Sequence, residues 1–316
     1  MKPIQEVPQT PSPVPATHQL PTHCDLATLG LDPSTVTATT LLRQQHGHHL
    51  YRLTTGPASY ILKWFDDPTT ATEIRAYDLL TRLGVPTLPV HGQSANALLL
   101  ADLDADQQWR LATAADTRLA ATGAAVAEWY QLLHPAGQTL LSTAPPPDWL
   151  PPRESDTLQP AHILAIGQRL QLAHLPVWRL AAEYLAPLQQ AVRALPTTLT
   201  YNDFHWTNLA LSRPPTPGQR AIIFDYHLLS LGIRYSDYRN VCSSLNGPAL
   251  ATFQATYGPV DERERILDEP LGTLYGLHEA LRRPQLPRWA LDLVDEATSG
   301  RLASKLQRAL EVVKFT

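Results

Sequence analysis

Cysteine is scarce in this chain, whose 316 residues include only Cys24 and Cys242. Two cysteines so far apart give neither a disulfide framework nor zinc-binding spacing, and a reducing, cytoplasmic environment is expected. Basic charge is scarce as well, since the formal net charge is -4 and no basic stripe is present. This composition argues against a nucleic-acid partner and favours a small-molecule substrate.

Long apolar runs are also missing. Residues 1–22 contain six prolines and no apolar core, so they predict neither a signal peptide nor a membrane anchor. No other segment is predicted to span a membrane. We expect a flexible tail over residues 1–23 and two lobes over 24–102 and 103–316, because a chain of this length exceeds the size at which single cores stop growing.

The most informative residues lie in the polar stretch Tyr201–Asn208. It leads into a strand-like segment, a turn rich in proline and glycine, and an apolar return strand that ends at Asp225. This hairpin predicts that Asp203 and Asn208 lie near Asp225. Carboxylate and amide oxygens suit Mg²⁺, and a spare carboxylate can orient a hydroxyl group. The alternative is a turn in which Asp and Asn cap one another.

The order of these residues resembles the aminoglycoside phosphotransferase and choline kinase-like family. Its catalytic loop reads His-Gly-Asp with an Asn five residues after the Asp, and a hairpin follows that ends in a metal-binding Asp. Asp203, Asn208 and Asp225 occupy those places, and Gly232 and Asp237 match a later Gly and a loop-bracing Asp. Tyr201-Asn202 departs from the family's His-Gly, so the loop needs another source of backbone support.

The resemblance implies an α+β, two-lobed protein-kinase-like fold. The small N-terminal lobe would hold a five-stranded antiparallel sheet and a helix, and the larger lobe would be mainly helical. The implied reaction moves the terminal phosphoryl group of ATP or GTP to a hydroxyl of a small molecule. Asp203 would be catalytic, Asn208 and Asp225 would hold Mg²⁺, and Asp237 would support the loop.

Lys63 lies on the predicted strand Ser59–Phe65, between the apolar neighbours Ile61 and Phe65 on one face. Such a lysine either extends to water or meets an anion. In the family this strand supplies the lysine that contacts the nucleotide phosphates. Glu73 falls in a helix predicted over residues 70–83, either in a capping box with Thr70 or in an ion pair with Lys63.

Three further segments bear on nucleotide binding. Strands are predicted over residues 34–42 and 50–54, with residues 43–49 as a turn whose single Gly47 is a weak phosphate-loop signal. The apolar strand over 97–101 resembles the strand before the hinge between the lobes. Backbone groups near Leu100, Asp102 and Leu103 would then bind an adenine, with Ile61, Leu209 and Ile223 as walls.

The rest of the chain is predicted to be mostly helical. A capping signal at Thr113 and Asp116 precedes a helix ending near His134, which is interpreted as structural. Prolines make residues 144–152 an exposed loop. Further helices are predicted over residues 161–173, 177–195, 238–245, 250–257, 261–281 and 286–313.

The sequence indicates the acceptor-binding residues less clearly than the catalytic ones. The charges of residues 261–269 alternate, which fits a solvated helix face better than a cation-binding surface. Trp206, Tyr226 and Tyr235 either stack on a sugar or ammonium group or belong to the core. Two other classes of function stay open. One is a nucleotide-binding regulatory module with little turnover, and the other is a metal-dependent hydrolase using Asp203, His205 and Asp225.

Overall fold

The structure is a computed structural model that describes residues 19–45, 47–56, 58–214 and 218–314. Most of the predicted tail therefore lies outside the described residues, as does the middle of the turn after Ser212. The chain forms two compact units. The first runs up to Ile74 and includes Leu88–Gln107, and the second comprises Arg75–Thr87 and the chain from Gln108 onward. The predicted boundary after residue 102 falls inside the first unit.

The first unit contains the predicted five-stranded antiparallel sheet, in the order β1-β2-β3-β5-β4. Alternating side chains of β2 and β3 pack on a core that includes Leu53, Leu62 and Trp64. The helix α1 spans Thr72–Arg82, so it begins in this unit and belongs to the second unit from Arg75 onward. The strands are β1 (Val36–Gln45), β2 (His48–Thr55), β3 (Ser59–Phe65), β4 (Val90–Gln93) and β5 (Ala97–Ala101).

The β1–β2 connection is shorter than predicted. Arg43 pairs with Leu50 and Gln45 with His48, so most of the predicted turn is strand. Gly47, with φ +76°, lies in a tight hairpin turn. The pairing of β-strands extends through these polar residues because the backbone ladder does not depend on apolar side chains. The predicted phosphate-covering loop over residues 43–49 is therefore wrong in extent.

The second unit is mainly helical, as expected, with two small sheets. One of its cores includes Trp178, Leu188 and Leu274, which come from two different helices. The strands are β6 (Trp109–Leu111), β7 (Thr198–Thr200), β8 (Leu209–Ser212), β9 (Ala221–Ile223) and β10 (Ser230–Gly232). The helices are α2 (Ala120–Thr143), α3 (Glu154–Thr157), α4 (Pro160–Arg169), α5 (Val177–Arg193), α6 (Arg234–Ser244), α7 (Gly247–Tyr257), α8 (Glu262–Leu281), α9 (Leu291–Thr298) and α10 (Arg301–Lys314).

Two helix predictions differ from the structure by more than a few residues. The helix expected to end near His134 continues through Pro135 to Thr143, because residues beyond the proline still pack closely: a Cβ added at Gly137 would lie 2.4 Å from the Leu199 nitrogen. The single helix predicted over 286–313 is two helices. Gly300 separates them, and its φ of +81° is a left-handed conformation that ends a helix.

Both cysteines are free thiols. Over the described ranges, no helix combines the length and apolar character that a membrane crossing requires.

Candidate active site

The hairpin formed by β8 and β9 positions the candidate metal ligands. Leu209 pairs with Ile223, and the ladder continues beyond both strands because the Phe224 N–H donates to the Asn208 carbonyl at 3.0 Å. Asp225 follows Phe224 directly. The two residues predicted to bind metal thus stand at the same end of one hairpin, as the sequence pattern indicated.

The orientation of the Asn208 amide is fixed by hydrogen bonds to two residues, Asp203 and Tyr201. Its Nδ2 group donates to Asp203 Oδ2 and to the Tyr201 hydroxyl, each at 3.1 Å. The Tyr201 hydroxyl donates its own hydrogen to the Phe224 carbonyl at 2.6 Å, so it accepts from Asn208. Both N–H bonds of the amide are therefore used. These hydrogen bonds do not use its Oδ1 atom, which can serve as a ligand for a cation.

This donor set fits Mg²⁺. Asn208 supplies an amide oxygen and Asp225 a carboxylate, and Mg²⁺ characteristically takes one or two protein ligands while keeping waters and substrate phosphates. In the part of the chain that the structure describes, no three His, Cys, Asp or Glu residues form a group suited to a metal.

Asp203 lies in a partly buried, charged environment. Burial raises the pKa of its carboxyl above the ordinary value, the nearby Asp225 charge raises it further, and the histidines His227 and His205 oppose the rise. His205 Nε2 lies 3.6 Å from an Asp203 oxygen. A carboxylate with a raised pKa, held by an amide, can orient a hydroxyl and accept its proton.

Asp237 supports the backbone of the loop that carries Asp203. Its carboxylate is fully buried and accepts hydrogen bonds from the N–H groups of Tyr201, at 2.9 Å, and Asn202, at 2.8 Å. His134 Nε2 lies 3.1 Å from the same carboxylate, and His134 Nδ1 contacts the Tyr257 hydroxyl. His134 is thus structural, as interpreted from the sequence, although its helix runs on beyond it.

Tyr201-Asn202 provides the support that the loop lacks without His-Gly. Asn202 has φ 65°, a left-handed conformation that Asn tolerates better than most residues. Its Nδ2 group contacts Thr200 Oγ1 at 3.0 Å and Ser230 Oγ at 2.8 Å. Close approach of β7 and β10 requires Gly232, since an added Cβ would lie 2.6 Å from Thr200 Oγ1. The sequence reading missed these roles of Tyr201 and Asn202, although the left-handed preference of Asn was a usable signal.

In the first unit, Lys63 and Glu73 form an ion pair. The Lys63 side chain is 13% exposed and that of Glu73 only 1%. The capping box with Thr70 does not form, because Asp67 caps a short turn over Pro68–Thr70 and α1 begins at Thr72. Of the two readings of Glu73, the structure contains the ion pair.

With this geometry in place, similarity to known proteins decides the family. The profile of the phosphotransferase enzyme family matches residues 39–269, which include both members of the ion pair and the whole Asp203 loop. The chain belongs to the phosphotransferase enzyme family. No curated protein matches the chain by sequence.

Solved structures of phosphotransferases share the fold. A choline/ethanolamine kinase family protein from Mesorhizobium loti has 17% identity and a TM-score of 0.57, over 92% of this chain and 98% of that one. Ethanolamine kinase from Plasmodium vivax has 12% identity and a TM-score of 0.54, over 86% and 85%. Macrolide 2'-phosphotransferase from Brachybacterium faecium has 13% identity and a TM-score of 0.51, over 86% and 94%. These likenesses establish the two-lobed α+β phosphotransferase fold.

The segment predicted to bind the adenine has contacts of its own. Leu100 pairs with Ile61 on one side and Val90 on the other, so the ladder uses its backbone groups. The Asp102 carboxylate accepts from Ser59 Oγ at 2.6 Å and forms an ion pair with Arg52. Adenine binding at Asp102 and Leu103 stays a prediction, and Leu100 is a weaker candidate than its neighbours.

The aromatic residues considered for acceptor binding differ in their exposure to solvent. Tyr226 and Tyr235 are buried and belong to the core, whereas Trp206 in the Asp203 loop is 39% exposed. In the acidic segment, Arg265 pairs with Glu262 and Glu269. The charges on that face of α8 largely neutralise each other, which fits the solvated-face interpretation.

A cavity in the second unit has Asn202, Glu154, Asp268 and Tyr275 among its lining residues. Asp268 pairs with Arg239 at 2.6 Å. Burial raises the pKa of Glu154 to about 8, although the Arg239 charge lowers it. Nothing in the sequence singled out Glu154, because its surroundings come from helices distant in the chain.

Proposed function

We propose that this phosphotransferase is a small-molecule kinase, which transfers the terminal phosphoryl group of ATP or GTP to a hydroxyl group. The observation that carries the proposal is the arrangement of Asn208. One amide hydrogen of Asn208 is donated to the Asp203 carboxylate and the other to the Tyr201 hydroxyl, and Asn208 stands at the same end of the hairpin as Asp225. One network thus provides a base and a cation site side by side.

Each residue has a separate task in this reaction. Asp203 orients the acceptor hydroxyl and takes its proton as the oxygen bonds to phosphorus and the nucleoside diphosphate leaves. Asn208 and Asp225 hold Mg²⁺, which when bound neutralises phosphate charge. Lys63, positioned by Glu73, binds the nucleotide phosphates. Positioning and charge neutralisation then supply most of the rate acceleration.

The adenine edge is proposed to meet backbone groups at Asp102 and Leu103. For the acceptor, amino alcohols are the first class to test, because fold neighbours include kinases named for choline and ethanolamine. Aminoglycosides and sugars complete the panel. Exposed Trp206 offers an aromatic face to a cationic or sugar acceptor.

The test uses the protein with Mg²⁺, ATP or GTP labelled at the terminal phosphate, and the acceptor panel. Labelled acceptor should form, and Asp203→Asn should lower its rate by about 100-fold or more. Asp148→Asn, an exposed carboxylate on the proline-rich loop, is the matched control and should leave the rate unchanged. Nucleotide binding without transfer to any acceptor would support a regulatory module instead.

A further inference from the structure

His227 stands beside the candidate metal ligands, and the kinase roles leave it unassigned. It follows Asp225 by two residues, and its Nδ1 atom lies 3.1 Å from Asp225 Oδ1. Both side chains are partly open to solvent, at 40% and 30% exposed. The imidazole of His227 is therefore in direct contact with one candidate metal ligand, Asp225.

The backbone holds His227 in this position. Asp225 has φ 68°, a left-handed conformation that starts a turn directly after β9. The turn closes with the Leu229 N–H donating to the Tyr226 carbonyl at 3.0 Å. Asn202 Nδ2 donates to the Leu228 carbonyl at 3.2 Å, which links the turn to the Asp203 loop. Two hydrogen bonds thus fix the segment that carries His227.

The imidazole of His227 would make this cation site chemically different from a site that has only oxygen ligands. Asn208 and Asp225 supply oxygen ligands, which are the ligands that Mg²⁺ prefers. A neutral imidazole adds a nitrogen ligand, and mixed nitrogen and oxygen sites bind first-row transition ions more tightly than an oxygen-only pair does.

We propose that His227 Nδ1 is a third protein ligand of the divalent cation, and that it shifts the site from Mg²⁺ towards first-row transition ions. The inference rests on the proposed function, because it concerns the cation site of the same reaction. With the metal bound, the Nδ1 lone pair faces the cation and the ring proton lies on Nε2.

Pulsed electron paramagnetic resonance of the protein with Mn²⁺ and ADP tests nitrogen ligation directly. The wild-type protein should show a ¹⁴N coupling to Mn²⁺, and His227→Gln should abolish it. His205→Gln is the matched control, since His205 lies beside the other carboxylate, and this variant should keep the coupling. A wild-type spectrum without ¹⁴N coupling, or a coupling that survives in His227→Gln, would overturn the proposal.

Calorimetric titration with Co²⁺ and with Mg²⁺ provides the second measurement. His227→Gln should lower the ratio of Co²⁺ to Mg²⁺ affinity by about tenfold. An unchanged ratio would refute the shift in preference. Neither measurement needs phosphoryl transfer. A ¹⁴N coupling in a protein that phosphorylates no acceptor would defeat only the kinase proposal, and transfer without coupling would defeat only the role of His227.

Discussion

The carboxyl groups of Asp237 and Glu154 lie in different regions of the second unit, and their surroundings differ. Asp237 accepts hydrogen bonds from two backbone N–H groups and contacts His134. Glu154 lines a cavity together with Asn202, and no hydrogen bond contributes to the pKa of its carboxyl. Burial consequently raises that pKa to about 8, so Glu154 keeps its proton at neutral pH.

The comparison shows what donors do for a buried acid. With donors around it, the Asp237 carboxylate ties the backbone of the catalytic loop to α6. Without them, Glu154 avoids the cost of a buried charge by remaining protonated. Four substitutions test whether this difference is real, and their expected effects on stability decrease from the first to the last.

Asp237→Ala should have the largest effect. It leaves two backbone N–H groups and His134 without their shared partner, and the free energy of unfolding should fall by about 3–5 kcal/mol. Urea denaturation measures the loss. Asp148→Ala, an exposed carboxylate, is the control and should change stability little. A loss for Asp237→Ala as small as that of the control would mean that the brace is dispensable.

Asn202→Ala should have the second-largest effect on stability. Alanine loses the side-chain hydrogen bonds to β7 and β10 and must also adopt φ 65°, a conformation that costs about 1–2 kcal/mol without glycine or asparagine. Asn202→Gly loses the same hydrogen bonds but tolerates the conformation. Thermal unfolding should therefore rank wild type above glycine and glycine above alanine. Equal stability of the two variants would show that backbone strain is unimportant here.

Tyr201→Phe should have a smaller effect, about 1–2 kcal/mol of unfolding free energy. The ring stays in the core, but the Phe224 carbonyl and one N–H of Asn208 lose their partner. Because the Asn208 amide is then less constrained, Mg²⁺-dependent nucleotide affinity should fall as well, as calorimetry would measure. Tyr184→Phe, a partly buried tyrosine in α5, is the control and should alter neither quantity.

Glu154→Gln should have the smallest effect at pH 5, and its difference from wild type should grow as pH rises from about 5 to about 8. The folded-state pKa of about 8 exceeds the ordinary value of 4.5, so the folded protein holds a proton that the unfolded chain releases. Wild-type stability should therefore fall as pH rises through this window, whereas glutamine has no proton to lose. By pH 9 the variant should exceed wild type by about 1 kcal/mol or more in urea denaturation. Parallel stability profiles from pH 5 to pH 9 would contradict a buried, donor-free Glu154.

Much of the fold followed from local patterns. Strand alternation located Lys63, and the turn residues after Ser212 predicted the β8–β9 hairpin. The predicted ends of helices were wrong where packing outweighed a local signal, as at Pro135. They were also wrong where one glycine divided a continuous helical pattern, as at Gly300. The choice between two roles for Glu73 also needed the structure, because a capping box and an ion pair use the same residue in the same first turn.

The sequence by itself determined which residues form the candidate site, because Asp203, Asn208 and Asp225 are close in the chain and one hairpin joins them. Only the tertiary structure decided how they are held. The Asp237 brace, its contact with His134 and the Asn202 hydrogen bonds to β10 join segments distant in the chain. Spacing along a chain carries no information about such contacts. They form only when the core brings the segments together, and burial then makes each unsatisfied polar group costly.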